Sequence, residues 1–133
     1  MIVLDASVVA KWFLDEPKSP KALYYRNLHA QKKEIIIAPS IIVYEIANLF
    51  RYKKEFTERE IIRGLEALEN FRIEIVNLDF KDVINAALLA REREITVYDA
   101  VYLLVALNFR CKFITADKKL YNKVKDFYYV ELL

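Results

Sequence analysis

The sequence predicts an α/β domain built on a mostly parallel central sheet of about five short strands, with helices covering both faces. Two observations carry this expectation. Short, nearly continuous apolar runs recur along the chain, as at residues 2–4 and 35–38, which is how strands buried on both faces read. Between them lie longer segments with apolar residues at helical spacing, so that strand and helix alternate from the first residues onward.

Taken in order, Ile2, Val3 and Leu4 predict a strand that enters a helix through Val8, Val9, Trp12 and Phe13 and stops at Pro17. A second helix is expected from near Pro20 to the polar stretch Gln31 to Glu34. Ile35 to Ala38 then read as a buried strand cut off by Pro39. Ser40 is placed to cap a helix running to about Lys54, whose basic C-terminal end suits the helix dipole. Thr57 and Glu60 have the spacing of a capping box for the next helix. Glu74 to Val76 predict a strand, Phe80 to Arg93 a helix, Tyr98 to Phe109 another, and Phe113 to Thr115 a strand. A short helix is expected after Asp117, with a last strand at Tyr128 to Val130. No repeat or linker is visible, and residues 1–133 are expected to form one domain.

Composition narrows the function. Hydrophobic residues make up 56 % of the chain, above the ~45–50 % of an ordinary domain, yet no run approaches the ~18 apolar residues of a membrane span. The opening MIVLDASVV has no basic leader, so neither a signal nor a transit peptide is predicted and a cytoplasmic protein is expected. A formal net charge of +2 is too small for binding duplex DNA by charge alone, so any nucleic-acid contact must be local. One cysteine, Cys111, excludes an internal disulfide and reads as a small apolar residue at a strand start. One glycine excludes Gly-rich phosphate and dinucleotide loops. One histidine, His29, in an expected surface helix, excludes catalysis by paired imidazoles and reads as inert.

Four acids stand inside apolar runs: Asp5 in MIVLDASVVA, Glu45 in IIVYEIANLF, Asp99 in TVYDAVYLLVA and Asp117 in FITADKKL. Two carboxylates about 4 Å apart repel by roughly 4 kcal/mol at an effective dielectric near 20. If the fold brings these four together, a cation must hold them. Without zinc-type ligand spacing, an all-oxygen site for Mg²⁺ or Mn²⁺ is the candidate. In open parallel sheets the functional crevice lies at the carboxyl ends of the strands, and Asp5 and Asp117 fall at that edge.

Each acid also has a plainer reading. Asp5 and Asp117 serve as N-caps, Asp99 as the acidic partner of Thr96 in a capping box, and Glu45 as part of an exposed stripe or a buried ion pair. Ser7 and Thr115, each two residues from an aspartate, either orient a carboxylate or make ordinary local hydrogen bonds. Asn48 shares a helix face with Glu45 and reads equally as a supporting group or a surface amide.

These segments together resemble the PIN-domain ribonucleases, and within them the VapC-type toxins of toxin-antitoxin pairs. VLDASVVAKWF resembles the opening strand with Asp-x-Ser, PSIIVYEIANLF the helix that carries the glutamate, TVYDAVYLLVAL the D-A-x-Y helix, and FITADKKLYNKV the T-x-D segment. The likeness spans the chain. It implies a PIN-like fold and Mg²⁺- or Mn²⁺-dependent endonucleolytic cleavage of RNA, with Asp5, Glu45, Asp99 and Asp117 as the catalytic, metal-binding acids and Ser7 and Thr115 as their polar neighbours. Asp5, Glu45 and Asp99 are expected as the main metal anchors and Asp117 as a second-metal or water-orienting group. It also implies a homodimer held inactive by a small antitoxin.

An acidic pocket repels RNA unless cations surround it. Lys11, Arg51, Lys53, Lys54, Lys118 and Lys119 lie on the segments that carry the acids and are candidate RNA contacts, against the plainer reading of solvated helix surface. Trp12 and the nine tyrosines offer stacking faces for bases, though several must be core. Two other readings of the same fold remain: a PIN-type nuclease of RNA processing without an antitoxin, and a non-catalytic RNA- or protein-binding module.

Overall fold

The computed structural model describes residues 1–133. Its elements in chain order are β1 (Ile2–Leu4), α1 (Ala6–Val9) continued by a 3₁₀ turn (Ala10–Trp12), α2 (Ser19–Ala30), β2 (Ile36–Pro39), α3 (Ile41–Tyr52), α4 (Glu58–Asn70), β3 (Glu74–Val76), α5 (Phe80–Arg93), α6 (Val97–Phe109), β4 (Lys112–Thr115), α7 (Lys118–Val124) and β5 (Val130–Leu132). The expected α/β class with a five-stranded sheet is what forms. Every pairing is parallel, in the order β3-β2-β1-β4-β5.

That order creates the functional geometry. The chain lays β2 and β3 on one side of β1, then returns to lay β4 and β5 on the other, so the direction of winding reverses between β1 and β4. Ligand crevices form at such switch points, outside the carboxyl ends of the strands. β1 and β4 are in register from Ile2 opposite Lys112 to Leu4 opposite Ile114. Asp5 therefore emerges beside Thr115, the last residue of β4, with Asp117 two residues further on.

The strands are short because both faces are covered. Ile2, Val3, Leu4, Ile36, Ile37, Phe113 and Ile114 are all buried. α6 is the innermost helix, with every residue from Ala100 to Ala106 buried, as expected of a helix apolar all round. α5 shields it through Ala86 and Ala90. Gly64 on α4 lies directly against α3. A Cβ there would lie 2.7 Å from Cε2 of Phe50 on α3.

Several local expectations differ from what forms. The first helix ends at Trp12, short of Pro17. Pro39 does not cut off β2 but ends it, opposite Val76 of β3. Ser40 stands at the start of α3 in helical backbone geometry and makes no side-chain cap. The Thr57 hydroxyl accepts from the Glu60 N–H at 3.2 Å, yet only Asp79 and Asp82 form a reciprocal capping box. β5 begins at Val130, not Tyr128, because its register is set by β4: Phe113 opposite Val130 and Thr115 opposite Leu132.

His29 is more than the inert surface residue expected. The Ile36 N–H donates to its Nδ1 at 3.1 Å, which places the proton on Nε2, and Nε2 lies 3.0 Å from the Phe71 carbonyl and 3.1 Å from that of Arg72. One ring joins the end of α2, the start of β2 and the turn after α4.

Candidate active site

At the switch point a continuous polar chain joins the ends of β1 and β4. The Asp5 N–H donates to the Ile114 carbonyl at 3.4 Å. Asp5 caps α1: its Oδ1 accepts from the Val8 N–H at 3.2 Å and from the Ser7 hydroxyl at 2.5 Å. Ser7 Oγ in turn accepts from the Ala116 N–H at 2.8 Å and lies 3.4 Å from Thr115 Oγ1. Thr115, fully buried, accepts from the Asp117 N–H at 3.1 Å. Asp117 caps α7, its Oδ1 accepting from the N–H groups of Lys119 and Leu120 at 2.9 and 3.1 Å. The capping reading of Asp5 and Asp117 thus holds, and the caps fix where these carboxylates sit.

Asp5 is only 5 % exposed. Burial drives its carboxyl up from 3.8 to about 6, against the opposing effects of Ser7, Thr115 and the Val8 N–H, while the charge of Asp99 pushes it further up. Glu45, one turn into α3, is half-buried. Its Oε1 accepts a 2.6 Å hydrogen bond from the Tyr102 hydroxyl. Its carboxyl is raised by burial, lowered by Tyr102 and raised again by Asp99. Tyr102 is 1 % exposed and stacks on Phe113. Desolvation and the Glu45 charge push its phenol far up, so it remains a hydrogen-bond donor.

Asp99 lies in the first turn of α6, where its N–H donates to the Thr96 hydroxyl at 3.0 Å. Its carboxyl is raised by burial, lowered by Thr96, raised by Asp117 and lowered by Lys123. The fields therefore link all four acids: Asp99 acts on Asp5 and Glu45, and Asp117 acts on Asp99. No three of them are drawn into a closed ligand cage. None takes part in any of the four ion pairs of the chain.

The hydrogen bonds show a common division of labour. Glu45 and Asp117 each commit one oxygen to protein donors and leave the other without a hydrogen bond from the chain, while Asp5 is held through Oδ1 by Ser7 and Val8. Hard oxygen donors, partly desolvated and lacking a cation, fit Mg²⁺ or Mn²⁺ by donor chemistry.

The expected neighbours divide. Ser7 and Thr115 belong to the polar chain. Asn48 is exposed, and no hydrogen bond joins its side chain to Glu45. Lys11 is paired with Glu16. Arg51 covers the ring of its neighbour Tyr52 at 4.7 Å, and Lys53 and Lys54 follow at the far end of α3. Lys118 and Lys119 are exposed at the start of α7. Trp12 is core, donating to the Ala22 carbonyl at 3.0 Å, whereas Tyr44 and Tyr98, each adjacent in sequence to an acid, are exposed. Tyr102, Thr96 and Lys123 were not expected at the site. Tyr102 had a signal: it stands three residues after Asp99, a lone hydroxyl in an apolar helix.

Fold and crevice together define a parallel α/β domain with an acidic site at its switch point. A family model described as the PIN domain matches residues 2–126. The chain belongs to the PIN-domain family. It is 29 % identical over 126 residues to "Ribonuclease VapC3" of Pyrobaculum aerophilum, a match covering 92 % of this chain and 93 % of that one. Among solved structures it superimposes with a TM-score of 0.69 on a toxin-antitoxin complex from Klebsiella pneumoniae, at 17 % identity over 98 % of this chain and 96 % of that one. The TM-score is also 0.69 for VapC20 of Mycobacterium tuberculosis, described as a Sarcin-Ricin loop cleaving toxin, at 17 % identity with 93 % and 95 % covered. No helix is long and apolar enough to cross a membrane.

Proposed function

We propose that this protein is a Mg²⁺- or Mn²⁺-dependent endoribonuclease, the toxin of a toxin-antitoxin pair. The observation that carries the reading is the set of four acids at the switch point, held by caps and hydroxyls, coupled through Asp99 and engaged in no ion pair. A ribonuclease name on the Pyrobaculum relative and toxin descriptions on the structural neighbours point the same way.

In this reading Asp5, Glu45 and Asp99 hold the cation and Asp117 serves a second ion or orients a water. A bound divalent ion supplies charge neutralisation at a phosphate oxygen and Lewis acidity. The chain supplies the placement. Ser7 and Thr115 fix Asp5, Tyr102 fixes Glu45, Thr96 fixes the first turn that carries Asp99, and the α7 backbone fixes Asp117. Hydrolysis then adds water to phosphorus in line with the departing ester oxygen. Exposed Tyr44 and Tyr98 offer faces on which unpaired bases can stack.

The deciding experiment is cleavage of structured RNAs by purified protein with Mn²⁺, with excess chelator, and with Asp5→Asn as the control for contaminating nuclease. Metal-dependent cutting lost in the variant supports the reading. Equal cutting by the variant, or cutting that persists in chelator, rejects the site. The toxin assignment is tested apart from it: expression should arrest growth, and co-expression of a small protein encoded beside the gene should relieve the arrest. A small antitoxin and a second copy of this chain are the partners proposed.

A further inference from the structure

We propose that Lys119 and Lys123, one turn apart on α7, form the wall that grips a backbone phosphate of the RNA on the Asp99–Asp117 side of the site. This rests on the ribonuclease reading and adds to it how and from which side the substrate is held.

A cleft of about 380 Å³ opens at Asp99 and Asp117, and its lining also includes Thr96, Lys119 and Lys123. Both lysines line this space with Asp99 and Asp117, and neither is tied up in an ion pair. Lys123 is anchored differently. Its Nζ donates to the Glu94 carbonyl at 2.6 Å, and Glu94 is the left-handed residue, φ 54°, that ends α5. A neutral carbonyl takes one of the three ammonium donors and cancels none of the charge. The charge stays available in the cleft, where it acts on Asp99.

Local stability accounts for Lys123, which lies in the last turn of α7 and bonds to Glu94, but not for Lys119. Lys118 and Lys119 occupy the first turn of α7, where the helix dipole disfavours cations, and Lys119 and Lys123 repel each other at a four-residue spacing. An anion between them would relieve both terms. An RNA phosphate approaching four acids needs such a counter-charge, and a compact ammonium suits a phosphate as a point charge. The other expected cations serve less well. Lys11 is neutralised by Glu16, and Arg51 lies six residues beyond Glu45, about 9 Å along the helix axis.

The test is binding of a fluorescein-labelled single-stranded RNA of mixed sequence to the full chain, followed by anisotropy in Ca²⁺ over a range of KCl, alongside cleavage kinetics in Mn²⁺ and thermal melting. Lys119→Met and Lys123→Met should each weaken binding about three- to tenfold and lower the slope of log K against log salt by about 0.7. KM should rise with kcat near that of the unaltered protein. Lys123→Arg should keep the affinity, and Lys11→Met should leave the slope unchanged. Lys119→Met makes no tertiary hydrogen bond to lose, so it reads the phosphate contact even if Lys123→Met is unstable. Unchanged slopes in both Met variants, with cleavage intact, would overturn this inference and leave the ribonuclease standing. Weaker binding confined to Lys123→Met and tracking its melting temperature would make Lys123 a brace for Glu94 and overturn it too. Absence of metal-dependent cleavage in the unaltered protein would remove both readings.

Discussion

The Tyr102 hydroxyl, buried in α6, donates to Glu45 Oε1 on α3 at 2.6 Å, so the innermost helix of the fold positions an acid of the site. The ring itself is held by stacking on Phe113 of β4. Tyr102 stands three residues after Asp99 on α6, so the helix that carries Asp99 also holds Glu45.

Tyr102→Phe keeps the ring and removes the donor. Glu45 loses the group that favours its charged form, so its carboxyl should rise further and its free oxygen should be less well aimed. Loss of a comparable supporting group around a metal site costs about 10- to 100-fold in metal affinity or activity. We expect a fall in cleavage rate of that order, partly recovered at high Mn²⁺, with a stability loss of about 1–3 kcal/mol. Rates measured over a Mn²⁺ series, together with urea unfolding, check this; an unaltered Mn²⁺ dependence would show that the bond does not support the site.

Asp5 gives a pH dependence whose sign is determinate. Its folded carboxyl, at about 6, holds the proton more tightly than the ordinary value of 3.8. Its contribution to stability is therefore complete below about pH 4 and lost as pH rises through about 6. Two pH units correspond to about 3 kcal/mol. In chelator at neutral pH, Asp5→Asn should be more stable than the unaltered protein by up to that amount, and the slope between these pH values should flatten. Mn²⁺ should stabilise the unaltered protein and not the variant. Denaturant unfolding across the pH range, with and without metal, reads both effects.

Much of this was legible because it is local. β-branched runs, helical spacing and Thr57 placed before α4 act within a few residues, so those elements formed near their expected bounds. The acids were visible because a charge in an apolar run is conspicuous wherever the chain folds. Partner choice was not legible. Tyr128 and Tyr129 carry strand propensity, but pairing with β4 starts the strand at Val130. The bond from Lys123 to Glu94 and the reach of His29 to Phe71 depend on how helices meet, which no window of sequence contains. Asn48 shared a face with Glu45 on paper, yet it points to solvent.

Gly64→Ala tests the contact between α3 and α4. Alanine gains about 1 kcal/mol of helix propensity over glycine. The new Cβ, however, would stand 2.7 Å from a ring carbon of Phe50, which is fully buried and packed between the rings of Phe13 and Phe56. Overpacking of this kind costs about 1–3 kcal/mol, so the net effect should be destabilising by up to about 2 kcal/mol. The double variant Gly64→Ala with Phe50→Leu should show positive coupling in a mutant cycle. Additive losses would mean that the helices separate freely and that glycine is not required for their approach.

His29→Ala removes a ring that accepts from the Ile36 N–H and donates toward the Phe71 and Arg72 carbonyls. These backbone groups stand where α2, β2 and the turn before β3 meet, at the sheet edge opposite the acids. Partly buried polar groups left unpaired cost about 1–3 kcal/mol, and a loss of that size is expected. Cleavage kinetics per folded molecule should not change, because no atom of His29 reaches the site. Asparagine at this position is too short to span both partners and should behave like alanine. A selective loss of kcat with full stability would show instead that His29 takes part in the chemistry. A fall in melting temperature with unchanged kcat and KM would make it a brace that holds the sheet on which the acids stand.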